Sequence, residues 1–457
     1  MLFGAKLLKK NEISEGFLGN ISYFCIVKLY ICIFKSSKAS EKLKKRTQKF
    51  KTSGALKPFL CFLLLVISSL QAWAESDSDS ILAERMGHIE ISLLTCQPHD
   101  EVYSLYGHTA IRMMNKSTNE DVVINYGVFN PETSFFVLRF VFGLTDYSMG
   151  VCGYETFLDG YRHYGSGVYE QRINMSPQEK LQFLSALYEN SKPENVVYRY
   201  NYFYNNCTTK ARDILLGAID GQVVYKPVTS LQRGNMSFRQ LIHLKVENHR
   251  WARMGNDLLL GVAADLNTSH DEREFLPEVL SNDFDSASVV YQDGSTKKLV
   301  AQSRWVVPPS STMKTLSAIT FPLSPFALAC VVFFVILALV AFEVFCHKTS
   351  MPRIRYAIYA IYASVGIVLF LMLFSKHPTV QFNLQILVFN PLFFILALPK
   401  VFGKWGKYVI LLSLCIFFAG NVVQDYAEGV NVLALSLLLT FVPIYFGMSK
   451  KKGNFAN

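Results

Sequence analysis

One thiol and one imidazole define the chemistry available to this chain. Cys207 lies in the run Tyr202-Phe203-Tyr204-Asn205-Asn206-Cys207-Thr208-Thr209-Lys210, which ends an aromatic strand and opens a helix. His108 lies far earlier, in Tyr106-Gly107-His108-Thr109-Ala110-Ile111-Arg112, which reads as a strand. A thiol and an imidazole that a fold can bring together are the parts of an acyl-transferring nucleophile. Asn206 is a good N-cap, so Cys207 is expected as the first helical residue. A helix N-terminus favours negative charge and should lower the thiol pKa. Exposed backbone N–H groups there are candidates to hold an oxyanion. A lone cysteine is more often a buried structural residue; its place at a helix start, after two asparagines, favours a nucleophile here. His108 shares a strand face with Ala110 and Arg112, opposite Thr109 and Ile111. Asn125 or Tyr126, on the next strand, is the candidate to orient the imidazole.

These residues need a scaffold. Ile89–Thr95, His108–Met114 and Val122–Phe129 alternate or run apolar between turn residues and read as strands. Ser176-Pro177-Gln178-Glu179 is a capping box with Pro at the first helical position, predicting a helix to about Asn190. Residues 195–204 read as extended and aromatic, and a helix follows from Cys207 to Ile219. Beyond these, Ser237–Leu244 reads as helix, and Ser286–Tyr291 and Lys298–Ala301 as strands. The fold class is therefore an α+β exported domain followed by an all-α membrane domain. The aromatic stretch Tyr198 to Tyr204 suits an acyl-chain groove or ordinary strand packing equally well. Asp265, His270, Asp271, Glu272 and Glu274 match no common ligand spacing and read as a solvated loop, so neither metal nor cofactor is expected.

The net charge of +10 resides wholly in residues 1–74, which hold 13 Lys/Arg and 3 Asp/Glu. The remainder is balanced, which argues against a nucleic-acid partner. Residues 57–74 have the layout of a secretory signal: Lys57, the apolar run Phe59 to Leu70, then Ala72-Trp73-Ala74 as a small-x-small cleavage site. The Lys-rich segment before it is unusual, and translation is expected to start further in, leaving residues 1–50 or so unmade. Of nine cysteines, Cys96, Cys152 and Cys207 belong to the exported part. A Cys96–Cys152 disulfide would leave Cys207 free.

After the linker Val307-Pro308-Pro309-Ser310-Ser311, five membrane helices are predicted near 325–346, 356–374, 382–398, 408–424 and 430–447. Lys348, Arg353, Arg355, Lys400, Lys404, Lys407 and Lys450 to Lys452 fall at one set of ends. The opposite loops carry Lys376 with Asp425 and Glu428. The positive-inside rule then places the exported domain outside the plasma membrane and the C-terminus in the cytoplasm. The predicted domains are 1–74 extension and signal, 75–320 exported, 321–449 membrane and 450–457 tail. His377, Asn383 and Asn390 are candidates for a lipid head-group site, since polar groups at such depth face an interior or cavity. Helix–helix hydrogen bonding is the alternative for the asparagines.

Together these residues resemble the Lnb-type lipoprotein N-acyltransferases. The matching pieces are Leu93-Leu94-Thr95-Cys96, Gly107-His108-Thr109-Ala110, Asn125-Tyr126-Gly127-Val128-Phe129, Asn206-Cys207-Thr208-Thr209, Met236-Ser237-Phe238-Arg239, Phe275-Leu276-Pro277, His377-Pro378 and Asn390-Pro391. The order, His before Cys, is also similar to circularly permuted papain-like folds of the NlpC/P60 and lecithin:retinol acyltransferase kind. The resemblance implies Cys207 as nucleophile, His108 as base and a thioester intermediate. It also implies a phospholipid acyl donor and a diacylglyceryl-cysteine lipoprotein as acceptor. A membrane-anchored cysteine peptidase or amidase acting on cell-wall peptide is the alternative enzyme, and a non-catalytic envelope docking protein the alternative outside enzymes.

Overall fold

The computed structural model describes residues 80–99, 104–129, 134–226, 235–310, 322–346 and 351–442. The signal-like segment, the Lys-rich extension, Lys348 and the C-terminal lysines lie outside them.

A seven-stranded antiparallel sheet organises the first part. It contains β1 (Ile89–Cys96), β2 (His108–Asn115), β3 (Glu120–Val128), β4 (Asp146–Gly153), β5 (Val168–Ile173), β6 (Val197–Arg199) and β10 (Val300–Val307), in the order β10-β5-β1-β2-β3-β4-β6. The strands β7 (Gln222–Val224), β8 (Ser288–Val290) and β9 (Thr296–Lys298) form a separate small sheet. Strand alternation sorts the residues between two cores. Ile91, Leu93, Ile111, Ile124 and Tyr126 face one side. There they meet α3 (Pro177–Ser191), α4 (Cys207–Leu216) and α8 (Pro277–Ser286) through Phe183, Ala211, Leu215, Leu280 and Phe284. Leu94, Cys96, Ala110 and Val123 face the other side and pack on Tyr154, Phe157 and Leu158 of α2 (Tyr154–Tyr164). Between β3 and β4 lies the short helix α1 (Phe136–Val141).

The predicted capping box is formed: Ser176 Oγ accepts from the Glu179 N–H, and Glu179 accepts from the Ser176 N–H. Residues 195–204 differ from expectation. Only Val197–Arg199 is strand, and Asn201 then folds the chain back, pairing with Asn205. Its Oδ1 accepts from the N–H groups of Phe203 and Tyr204, a turn preference of asparagine that outweighs the strand preference of the aromatics. Cys96 and Cys152 are free thiols. Two strands lie between β1 and β4, a separation of about 14 Å that a disulfide cannot span.

A third core joins the two halves of the chain. Phe203, Phe238, Leu241, Leu260 and Phe275 pack with Met372 and Val380. It is carried by α5 (Phe238–Val246) and α6 (Arg250–Leu259), with α7 (His270–Arg273) following. Beyond it, α9 (Pro325–Cys346) and α10 (Met351–Met372) are long and apolar enough to cross a membrane. α11 (Lys407–Gly420) and α12 (Val430–Leu439) are shorter. The helix expected at 382–398 is not formed. Its place is taken by 3-10 turns at Pro378–Val380 and Leu384–Leu387 and one short α-turn at Phe393–Leu396. Asn383 caps the second of these, its Oδ1 accepting from Gln385 N–H at 3.0 Å, and Pro391 removes a donor from the segment. Asn383 and Asn390 therefore do not share a helix face.

Candidate active site

The chain around Cys207 is fixed by Asn206. Its Oδ1 accepts from the N–H groups of Thr208 and Thr209, both at 2.9 Å, and its backbone N–H donates to Thr209 Oγ1 at 2.9 Å. Its Nδ2 donates to the carbonyls of Tyr202 and Phe275, each at 2.9 Å. One side chain thus caps α4, closes the aromatic turn before it and ties both to the segment after α7. The cap also alters the expected oxyanion site. The amides of Thr208 and Thr209 are taken, which leaves the Cys207 N–H in that turn. Nor is the helix start exposed: Asn206, Cys207, Thr208 and Thr209 are all buried, Cys207 at 5 %.

His108 is the first residue of β2. Gly107 before it has φ +78°, and a Cβ there would lie 2.6 Å from the Cys96 carbonyl oxygen. Only glycine fits so close a turn. Thr109 points to the opposite face and meets Thr208 of α4, Oγ1 to Oγ1 at 3.1 Å. That contact docks the cysteine helix on β2 beside the imidazole. His108 Nε2 donates to Asn125 Oδ1 at 3.1 Å. Nδ1 is buried and makes no hydrogen bond, so it is the ring nitrogen free to act on the sulfur. Burial pushes the Cys207 thiol up, but the charge and proximity of the His108 imidazole, the Thr109 backbone N–H and the Thr208 hydroxyl outweigh it and bring the thiol down to about 7. A thiol so placed ionises near neutrality beside a nitrogen able to take its proton.

Of the two orienting candidates, Asn125 reaches the imidazole. Tyr126 does not: it lies in the core on the other face, its hydroxyl without a hydrogen-bond partner. Asn125 is held in turn, since its Nδ2 donates to Cys152 Sγ at 3.4 Å. Burial raises the Cys152 thiol to about 11, so it stays neutral and accepts that bond. The sequence offers Cys152 only as a disulfide partner of Cys96, because only the β3–β4 pairing reveals it as Asn125's neighbour. Burial, with the charge of Cys207 as a smaller contribution, raises the hydroxyls of Tyr147, Tyr198, Tyr200 and Tyr202. Tyr147 stacks on Tyr200 at 4.0 Å and on Phe129 at 4.9 Å, and Phe129 stacks on Phe136 of α1 at 5.0 Å.

The polar residues expected near a lipid head group make hydrogen bonds within the protein. His377 Nε2 donates to the Phe140 carbonyl at 3.1 Å and pins α1 to the membrane segment. Asn383 Nδ2 donates to the Leu258 carbonyl at 2.8 Å, while its Oδ1 accepts from Gln424 Nε2 at 3.0 Å. Asn390 Oδ1 accepts from the Leu392 N–H at 3.0 Å. Gln385 and Gln424, missed in the sequence, complete the clasp by donating to the carbonyls of Asp257 and Leu260 at 2.8 and 3.1 Å. Their signal was glutamine within otherwise apolar runs. From the other side Arg239, 1 % exposed, holds Asp257 and Asp265 and donates to the Leu260 and Gly261 carbonyls. The acidic stretch is not a simple solvated loop either. Asp265 pairs with Arg239 at 2.7 Å, and Glu274 is buried against Arg212.

Residues 84–241 match the Lnb N-terminal periplasmic domain, and residues 316–452 match the Lnb transmembrane domain. The chain belongs to an Lnb-type family. It is a membrane protein with a periplasmic portion, and both elements of the Cys207–His108 pair fall in the Lnb periplasmic match. No curated protein and no solved structure matches the chain.

Proposed function

We propose that this Lnb-type protein is a lipoprotein N-acyltransferase working through a Cys207 thioester. The observation that carries the proposal is the thiol at a helix start, lowered to about 7 by His108, within a periplasmic domain packed on a transmembrane one.

His108 Nδ1 takes the proton of Cys207, with Asn125 holding the Nε2–H and so the tautomer. The thiolate attacks the ester carbonyl of a membrane phospholipid, and the Cys207 N–H supports the oxyanion. The ester C–O bond breaks, the imidazolium returns its proton to the leaving alkoxide, and a lysophospholipid departs. The α-amine of a diacylglyceryl-cysteine lipoprotein then attacks the thioester, forming the amide and restoring the thiol. Burial of Cys207 supports transfer over hydrolysis, because a shielded thioester outlasts contact with water. A lipid substrate suits the edge of the domain beside the membrane segment. Phe135 is 77 % exposed and Leu138 and Leu144 are exposed, next to Lys376 and His377. The proposed orientation puts this domain on the periplasmic side of the inner membrane, with several spans and a cytoplasmic C-terminus.

The test is intact-protein mass spectrometry after the purified chain meets phospholipid vesicles. A fatty-acyl increment that Cys207→Ala abolishes is the expected result. Cleavage of wall peptide without that increment would establish a peptidase or amidase instead. Neither product would leave a docking role.

A further inference from the structure

Away from the thiol, one cluster of ligating side chains has no task in the chemistry above. His270, Asp271 and Glu274 offer ligand atoms that all lie within 4.8 Å of one another. His270 Nδ1 is 3.6 Å from Asp271 Oδ1 and 4.0 Å from Glu274 Oε1, while Nε2 faces Asp283 Oδ2 at 3.4 Å. Glu274 is 1 % exposed, yet its Oε1 has no hydrogen-bond partner, and neither imidazole nitrogen has one. A buried carboxylate oxygen is costly to leave unpaired. The other oxygen accepts from Arg212 at 3.2 Å, and Arg212 also donates to the Asp271 carbonyl at 2.7 Å and pairs with Asp213.

We propose that His270 Nδ1, Asp271 and Glu274 hold a divalent metal ion of the zinc class. One imidazole with carboxylates is a donor set that zinc accepts and calcium, which takes oxygen alone, does not favour. Tetrahedral zinc bonds of about 2.0–2.1 Å place ligand atoms roughly 3.3 Å apart. The three atoms, within 4.8 Å of one another, would have to draw together by up to about 1.5 Å. Asp283 Oδ2, 3.4 Å from Nε2, is placed to accept its proton, the carboxylate–histidine–metal relation that would fix Nδ1 toward the ion. The role is structural. Arg212 belongs to α4, so the ion would brace the helix that begins at Cys207.

The test uses the full chain in detergent, carrying Cys207→Ser to remove a competing thiol, stripped with chelator and titrated with zinc alone. One equivalent bound at micromolar or lower concentration, raising the melting temperature, is expected. His270→Ala and Glu274→Gln should each weaken zinc affinity by about 10–100-fold. Should one variant fail to fold, the other still decides. Undiminished binding in a folded variant overturns the site. So does a parent that takes up no zinc, which would leave Arg212 as the cation serving Glu274. Neither outcome bears on acyl transfer, which is read at Cys207.

Discussion

His108 Nε2 and Asn125 Oδ1 lie 3.1 Å apart, and the amide that makes this bond is itself held by Cys152. The orientation of the imidazole therefore depends on strand β4. Asn125→Ala should slow Cys207 acylation on the order of 10²-fold, the cost of a misplaced catalytic group. Its melting temperature should change little. Single-turnover thioester formation checks this; an unchanged rate would remove Asn125 from the mechanism.

The lowered thiol predicts a pH profile. Thioester formation should rise with pH and level off above about 7. In His108→Ala the largest counterweight to burial is lost, and the midpoint should move upward. The sign for stability follows from the same shift. A pKa below the ordinary thiol value of 9 stabilises the fold fully above pH 9, and that contribution is lost as pH falls through 7. Alkylation rates of Cys207 across pH 5 to 10, followed by mass spectrometry, would expose a thiol with an ordinary profile.

Asn206 carries several bonds at once, and its variants separate them. Asn206→Ala loses the cap, costing about 1 kcal/mol. It also strands the Tyr202 and Phe275 carbonyls, for roughly another 1–3 kcal/mol each where they stay dry. Asn206→Asp keeps the acceptor but loses both Nδ2–H donors, and should fall between wild type and Ala. Thermal melts of the three proteins should rank in that order.

Much of this site is legible in the sequence, because it rests on local rules. Asn206 announces a cap, Gly107 a close turn, and strand alternation sorts His108 from Thr109. What the sequence hides is set by pairing between distant segments. Cys152 becomes Asn125's neighbour only through β4, and Asn206 meets Phe275 across 69 positions. The membrane part misleads for a related reason. Residues 382–398 are apolar enough for a helix, but the Phe382 carbonyl accepts from the Val262 N–H at 2.7 Å and the side chains of Asn383 and Gln385 donate to the end of α6. Hydropathy does not register that competition.

The clasp makes a prediction of its own. Asn383→Ala removes the 2.8 Å bond to the Leu258 carbonyl and one acceptor of Gln424 Nε2, costing about 1–3 kcal/mol. Limited proteolysis between α6 and the membrane segment should quicken, while Cys207 in the isolated reaction keeps its pH midpoint. Equal protease resistance in the variant would show that these bonds do not secure the junction.

Because Arg239 grips the end of α6 from the periplasmic side and the two glutamines grip it from the other, the two halves share a single anchored joint. A joint of that kind has no slack. The thiol is carried at a set standoff from the membrane segment, like a fixed tool rest; in the reaction we propose, the acceptor, on its own flexible tether, would supply the motion that brings amine to carbonyl.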